Sequence, residues 1–226
     1  MLKKLISSLT LLSMFIFQGC ASVYVPNAHH IHMMENEGEI HIAGGYGNNG
    51  LNVQGGFSIT NFLGIIGAYS EKDFAIFDSD DRKIQYYEGG INFFRPIGSN
   101  GKIEVVVGMG GGTGEIDQPL TRVENGEFEK RFVQLSAALK PNSTEAGVSL
   151  RFADVNFVEF ESTKNIDGLK RESFFIEPAA FLSMGSDNVR LESQFGYSFS
   201  LTNPSDLAFD HEFVRLTLGV RFIFNR

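Results

Sequence analysis

Between residues 38 and 224, stretches recur in which apolar side chains fall on every second position. In 189–201, Val189, Leu191, Phe195, Tyr197, Phe199 and Leu201 alternate with Arg190, Glu192, Gln194, Gly196, Ser198 and Ser200. In 212–224, Val214, Leu216, Leu218, Val220, Phe222 and Phe224 alternate with Arg215, Thr217, Gly219 and Arg221. Successive side chains of a strand point to opposite faces, so each stretch has one apolar and one polar face. The pattern predicts ten strands, at 38–47, 51–60, 63–70, 83–95, 102–114, 131–140, 145–157, 173–183, 189–201 and 212–224. The connectors at 60–62, 96–101, 141–144 and 184–188 are short and rich in Pro, Gly, Asn and Ser, which are turn formers. Those at 71–82, 115–130, 158–172 and 202–211 are long and mostly acidic, and Gly47-Asn48-Asn49-Gly50 is tight. Short turns at one end and long loops at the other predict an all-β fold: a single antiparallel up-and-down barrel of the outer-membrane type. An even strand count places the barrel's two ends at the short-turn side.

The two faces differ in composition. The apolar face carries Ile40, Ile42, Val53, Phe57, Ile65, Ile91, Val105, Val107, Val133 and Leu135, with no charge in the strand cores. The opposite face carries Glu39, His41, Glu88, Glu104, Arg151, Glu177, Arg190, Glu192, Arg215 and Arg221 among many Gly, Ala and Ser residues. Nearly balanced Glu and Arg with small residues suit a narrow lumen, where charges pair or are hydrated. Lys72, Lys83, Lys102, Lys130, Lys140, Lys164 and Lys170 are read as lying in loops or at strand ends. Turning the charged face to lipid would cost about 2–4 kcal/mol for each midplane Arg. Tyr46, Tyr69, Tyr87, Phe93, Phe174, Tyr197 and Phe222 fall near strand ends, as interfacial girdles do. The alternative is a lipid-anchored soluble barrel with the apolar face lining a ligand cavity, as in lipocalins. The two readings assign opposite directions to Phe195, Phe222 and Leu216.

Composition fits either reading. The chain has 226 residues, 42% hydrophobic, with Gly 25, Phe 22 and Trp 0. Its mean hydropathy of −0.05 argues against a bundle of membrane helices but not against a barrel, which spends only alternate residues on lipid. The first 20 residues look like a targeting signal. Lys3 and Lys4 precede an apolar run from Leu5 to Phe17, too short to span a bilayer, which ends in Phe17-Gln18-Gly19-Cys20. This stretch resembles a bacterial lipoprotein signal, which implies removal of the preceding residues and acylation, including palmitate, at Cys20. Ala21-Ser22 lacks the acidic residue that, by the same resemblance, would hold a lipoprotein in the inner membrane. Removing Lys3 and Lys4 leaves 17 bases against 27 acids, so nothing basic remains for nucleic acid.

Residues 21–37 read as a periplasmic tether ahead of the barrel domain at 38–226. Within it, His29, His30 and His32 with Met33 and Met34 could ligate a soft or borderline metal. No acidic or Cys residue has matching spacing, so the segment is expected to carry no metal, and no cofactor is expected elsewhere. Cys20 is the only cysteine, so no internal disulfide forms.

Cys20, Tyr24-Val25-Pro26-Asn27, Gly38-Glu39 and Gly50-Leu51-Asn52-Val53-Gln54 together resemble small Bacteroidota outer-membrane β-barrel lipoproteins. The resemblance implies fold and location; that family has no established catalytic motif to transfer. Phe222-Ile223-Phe224 resembles the terminal strand signal read by the barrel assembly machinery, although Asn225 and Arg226 follow it.

The candidate chemistry is sparse. Gly108-Met109-Gly110-Gly111-Gly112-Thr113-Gly114 lacks the third Gly of a dinucleotide fingerprint and any following Gly-Lys-Ser/Thr, so close strand packing explains it better. Asp80-Asp81 and Asp210-His211 resemble the rim pairs of omptin-type proteases, in which a carboxylate orients a histidine. His41 beside Glu39 reads as a paired interior histidine. The sequence therefore predicts an outer-membrane barrel lipoprotein anchored at the periplasmic side, with a structural or binding role in the cell envelope and no catalysis. Its expected partners are outer-membrane lipid and the barrel-assembly and lipoprotein-sorting machineries. A rim hydrolase is a further alternative.

Overall fold

The computed structural model describes residues 22–73, 81–118 and 122–225; the targeting segment, Cys20 and Asp80 lie outside them. The strands are β1 (Ile40–Gly47), β2 (Gly50–Ser58), β3 (Leu63–Asp73), β4 (Asp81–Ile97), β5 (Gly101–Gln118), β6 (Arg122–Leu139), β7 (Thr144–Ser162), β8 (Glu172–Gly185), β9 (Val189–Tyr197), β10 (Phe199–Ser200) and β11 (Val214–Phe224). Each strand from β1 to β8 pairs antiparallel with the next, β8 pairs with β9 and β10, β9 with β11, and β11 with β1. Ser198, whose N–H donates to Phe213 O at 2.8 Å, separates β9 from β10 within one strand path. The result is a closed barrel of ten strands, as the alternation predicts, with no free edge.

The apolar face points outward. Phe195 is 41% exposed and Phe222 44%, whereas Arg190, Arg215 and Arg221 are buried. This orientation removes the lipocalin-like reading, which needs those side chains in a central cavity. Ile40, Ile42, Val53, Phe57, Ile91, Val107 and Leu135 form the same outward band, flanked by Tyr46, Tyr69, Tyr87, Phe93, Phe174 and Tyr197. No helix among the described residues is long and apolar enough to cross a membrane.

The longest strands outrun the bilayer. β5 and β6 have 18 residues each and β7 has 19. At a rise of roughly 3.3 Å and a tilt of about 40°, they span about 45 Å, well beyond an apolar band of about 25 Å. Much of what the sequence reads as loop at 115–130 and 158–172 is therefore ladder. In this extension the hydrophobic phase inverts. Glu115, Asp117, Glu127, Glu129, Arg131, Asp154 and Glu159 point outward and are exposed. Ile116, Phe128, Phe132, Val155, Phe157 and Phe160 point inward and join Tyr86, Phe175, Leu207 and Phe209 in one apolar core. Below the switch the barrel suits lipid, and above it the barrel suits water. The glycine run of β5 serves this core: a Cβ on Gly108 would lie 2.5 Å from the Phe132 ring, and one on Gly112 3.0 Å from the Phe128 ring.

The tether expected for 21–37 is not outside the barrel. Val23, Tyr24, Val25, Asn27, Ala28, His29, His30, Ile31, His32, Met33 and Met34 are all buried within the lumen. Tyr24 forms a parallel bridge with His211, in the long connector between β10 and β11. Asn36 and Glu37 reach Ser58 and Asn61 at the short turn after β2. The chain thus descends from the long-loop end to the short-turn end, reverses at Gly38 (φ 81°), and climbs back as β1. The expectation that both chain ends meet at the short-turn side holds for β1 and β11 but not for the segment ahead of β1. A polar lumen offers hydrogen bonds to a strand-like segment, which external solvent does not improve upon once that segment's apolar side chains are covered.

Candidate functional site

The lumen grips the backbone of this segment with side chains of the wall. Arg215 Nη1 donates to Asn27 O at 2.7 Å, and Gln54 Nε2 to Ala28 O at 3.2 Å. Gln194 accepts from His29 N at 3.0 Å and donates to His29 O at 3.1 Å, as a neighbouring peptide unit would. Gln134 does the same for His30, accepting from its N–H at 3.3 Å and donating to its carbonyl. Arg221 Nη1 donates to the carbonyls of Ile31 and His32, each at 2.6 Å. Glu104 accepts from Met33 N at 3.1 Å, and Lys102 donates to Met33 O at 3.1 Å. These bonds replace the ladder that an isolated strand lacks, so little of the buried backbone between Asn27 and Met33 is left without a partner.

The charges form two groups. Nearer the long loops, Glu88 lies 2.7 Å from His30 Nε2, 3.3 Å from Arg151 Nη2 and 3.6 Å from Lys130 Nζ. Glu177 lies 4.0 Å from Arg151 Nη1 and 3.8 Å from His29 Nε2, and accepts from Tyr24 Oη at 3.4 Å. Nearer the short turns, Arg221 meets Glu145 and Glu192, each at 2.9 Å, and Lys102 meets Glu145 at 2.9 Å. Arg190 donates to Ser183 Oγ at 2.8 Å and to Ser143 O at 3.1 Å. Fully buried charges persist only when paired and hydrogen-bonded in this way.

All ten residues assigned to the lumen from sequence therefore face inward: Glu39, His41, Glu88, Glu104, Arg151, Glu177, Arg190, Glu192, Arg215 and Arg221. Sequence reasoning missed Lys102, Lys130 and Glu145, which are buried, and Lys72, buried 3.1 Å from Glu212. For Lys130 the reason is the phase inversion: it sits well inside β6 rather than at its end. The three glutamines that hold the segment carried no charge to draw notice, although each sits at an inward position.

His32 lies between His30 and His41, with ring centroids 5.9 Å from each, and neither of its nitrogens meets a partner among the described residues. Among the described residues no group of three His, Cys, Asp or Glu has an arrangement that would hold a metal. At the lower mouth, Glu39 accepts from Glu35 N at 2.9 Å and from Asn36 Nδ2 at 2.7 Å, and lies 3.3 Å from His41 Nε2. Burial pushes its carboxyl up, but these three contacts outweigh burial and hold its pKa down at about 2. Glu35 is likewise net lowered: burial raises it, and Lys102 and Lys140 more than offset this.

Of the two rim pairs, the side chains of Asp80-Asp81 lie outside the described residues. His211 packs 5.0 Å from the Phe175 ring and 4.5 Å from the Phe213 ring, with Nε2 unpartnered. Asp210 is instead 3.5 Å from Lys164. Burial lowers the His211 pKa, against the opposing pull of Asp210 and Glu177.

No protein-family model matches this chain, and no curated protein does. Solved structures with a similar fold include the outer membrane protease OmpT of Escherichia coli, with a TM-score of 0.48 at 10% identity over 83% of this chain and 93% of that one. The outer membrane protein OprG of Pseudomonas aeruginosa has a TM-score of 0.41 at 12% identity, covering 86% and 99%. The attachment invasion locus protein Ail of Yersinia pestis has a TM-score of 0.28 at 15% identity, covering 84% and 100%. These are likenesses of fold. The outward apolar band and the closed ten-stranded sheet make the chain an antiparallel β-barrel of the outer-membrane type.

Proposed function

We propose that this protein is an outer-membrane lipoprotein, acylated at Cys20, whose barrel is closed by its own N-terminal segment and serves the envelope as a structural or binding element. The observation that carries this reading is the hold on 27–33: Gln54, Gln134, Gln194, Arg151, Arg215, Arg221, Lys102 and Glu104 all bond its backbone. Above it, the core around Tyr24, Phe128, Phe157 and Phe175 closes the long-loop end. A lumen filled in this way is expected to block solutes larger than ions. What remains to meet the environment is the acidic outer wall of the extension and the loops above it, a surface suited to cationic or polar contacts. Lipid, the barrel-assembly machinery and the lipoprotein-sorting machinery are the partners that this reading requires.

The test is metabolic labelling with palmitate, joined to fractionation. The wild-type chain is expected to take up label and to stay in the outer-membrane fraction through an alkaline carbonate wash. Cys20→Ser behind an ordinary signal is expected to lose the label yet remain in the washed membrane, because the strands hold it there. Release of that variant into the soluble fraction would overturn the membrane-spanning reading, and an unlabelled wild type would overturn acylation.

A further inference from the structure

The direction of threading has a consequence for the N-terminus. Tyr24 N donates to Asp210 O at 3.3 Å, and Glu212 N donates to Tyr24 O at 3.0 Å, so Tyr24 is built into the long connector between β10 and β11. The Val23 carbonyl lies against Gly114, where an added Cβ would come within 2.4 Å of it. Gly114 is in the part of β5 beyond the lipid-facing band, on the side where the outer wall is charged. Tyr24 is held there by rings, with centroids 5.4 Å from Phe128 and 5.0 Å from Phe175. At the other end, Lys140 and Lys102, beside the short turns, pair with Glu35. The segment therefore spans the lumen with its N-terminal end at the long loops.

Long loops face the cell exterior in outer-membrane barrels and short turns face the periplasm. Only Ala21 separates Cys20 from Ser22, a reach of at most about 7 Å, whereas the hydrocarbon core is about 30 Å thick. We propose that the chain ahead of Ser22 emerges at the cell surface, so that the barrel displays its N-terminus, and the acyl group on Cys20, outside the cell. This replaces the periplasmic anchor expected from the sequence. The lumen segment then joins the emergent end to the first strand. The part concerning the acyl group rests on the acylation reading above; the part concerning the emergent end does not.

The experiment is epitope accessibility on intact cells. A short tag is inserted between Ala21 and Ser22 of the full chain, with control tags at 204–206 in the long connector and at 141–143 in a short turn. Heat-modifiable migration on a gel confirms that each barrel has folded. The tag ahead of Ser22 is expected to bind antibody on intact cells to the same extent as the one at 204–206. The tag at 141–143 is expected to bind only after the membrane is opened. Should the tag disturb folding, Ala21→Cys in a Cys20→Ser background, behind an ordinary signal, supplies a single thiol for a membrane-impermeant maleimide. Labelling of intact cells supports the proposal. Labelling only after permeabilisation, in folded outer-membrane protein, overturns it. Antibody binding on intact cells by a tagged chain that keeps Cys20 yet takes up no palmitate would leave the emergent end standing and defeat acylation alone, so the two failures are distinguishable.

Discussion

Arg221 and Glu145 meet at 2.9 Å inside the lumen, and the same guanidinium holds the carbonyls of Ile31 and His32. The ion pair and the clamp on the N-terminal segment are thus one structure. Replacing Arg221 by Met removes the clamp and leaves Glu145 and Glu192 short of a cation. A buried pair broken on one side typically costs about 3–5 kcal/mol. Arg221→Met is expected to lower the temperature of heat modifiability markedly, and adding Glu145→Gln should recover part of that loss. Equal, additive losses in the two single variants would show that the pair is not coupled.

The phase inversion along β6 and β7 predicts where charge is tolerated. Leu135 lies in the lipid-facing band and Glu129 in the water-facing extension of the same strand. Leu135→Arg is expected to cost about 2–4 kcal/mol, as charge does near the bilayer midplane. Glu129→Arg is expected to stay within about 0.5 kcal/mol of wild type, as for an ordinary surface change. Urea-dependent unfolding in lipid vesicles measures both, and similar costs at the two sites would contradict the assigned boundary.

Space is tight at Gly114, which faces the lumen segment, and open at Gly55, which lies on the outward face. A Cβ on Gly114 would meet the Val23 carbonyl, whereas nothing lies within 4 Å of one on Gly55. Gly114→Val should therefore dislodge residues 22–24, at a cost of about 1–3 kcal/mol for overpacking, and expose them to added protease. Gly55→Ala should not change protease resistance.

Glu39 gives the lower mouth a pH dependence. Its folded pKa of about 2 lies below the ordinary carboxylate value of 4.5. A group depressed on folding adds stability that is fully present above the unfolded value and is lost as pH falls through the folded one. Thermal stability is expected to drop between about pH 4.5 and 2, with Glu39→Gln showing a smaller drop over the same window. An identical pH profile in the two proteins would remove Glu39 from the account.

Much of this architecture is legible in the sequence. Alternation at Val189–Tyr197 and Val214–Phe224 gives the strands, and the contrast between Phe222 and Arg221 gives their orientation. The lumen segment was not legible, because His29-His30-Ile31-His32-Met33-Met34 has no period of its own. It is held through its backbone, which every sequence shares. The clue lay in its partners: Gln54, Gln134 and Gln194 at inward positions each offer a donor and an acceptor, as a peptide unit does. The extension above the membrane was legible in principle. Val133 and Leu135 point outward while Phe132 and Phe128 point inward, a phase change that runs of acidic residues disguised as loop.

Residues 22–34 fill the lumen, and single-channel recording in planar bilayers measures this directly. The wild-type chain is expected to insert without conducting, and a variant lacking residues 22–34 to open steady ion-conducting steps once folded. A wild type that conducts as freely as the deletion variant would contradict the closed lumen and the hold of Arg221, Gln134 and Gln194 on which it rests.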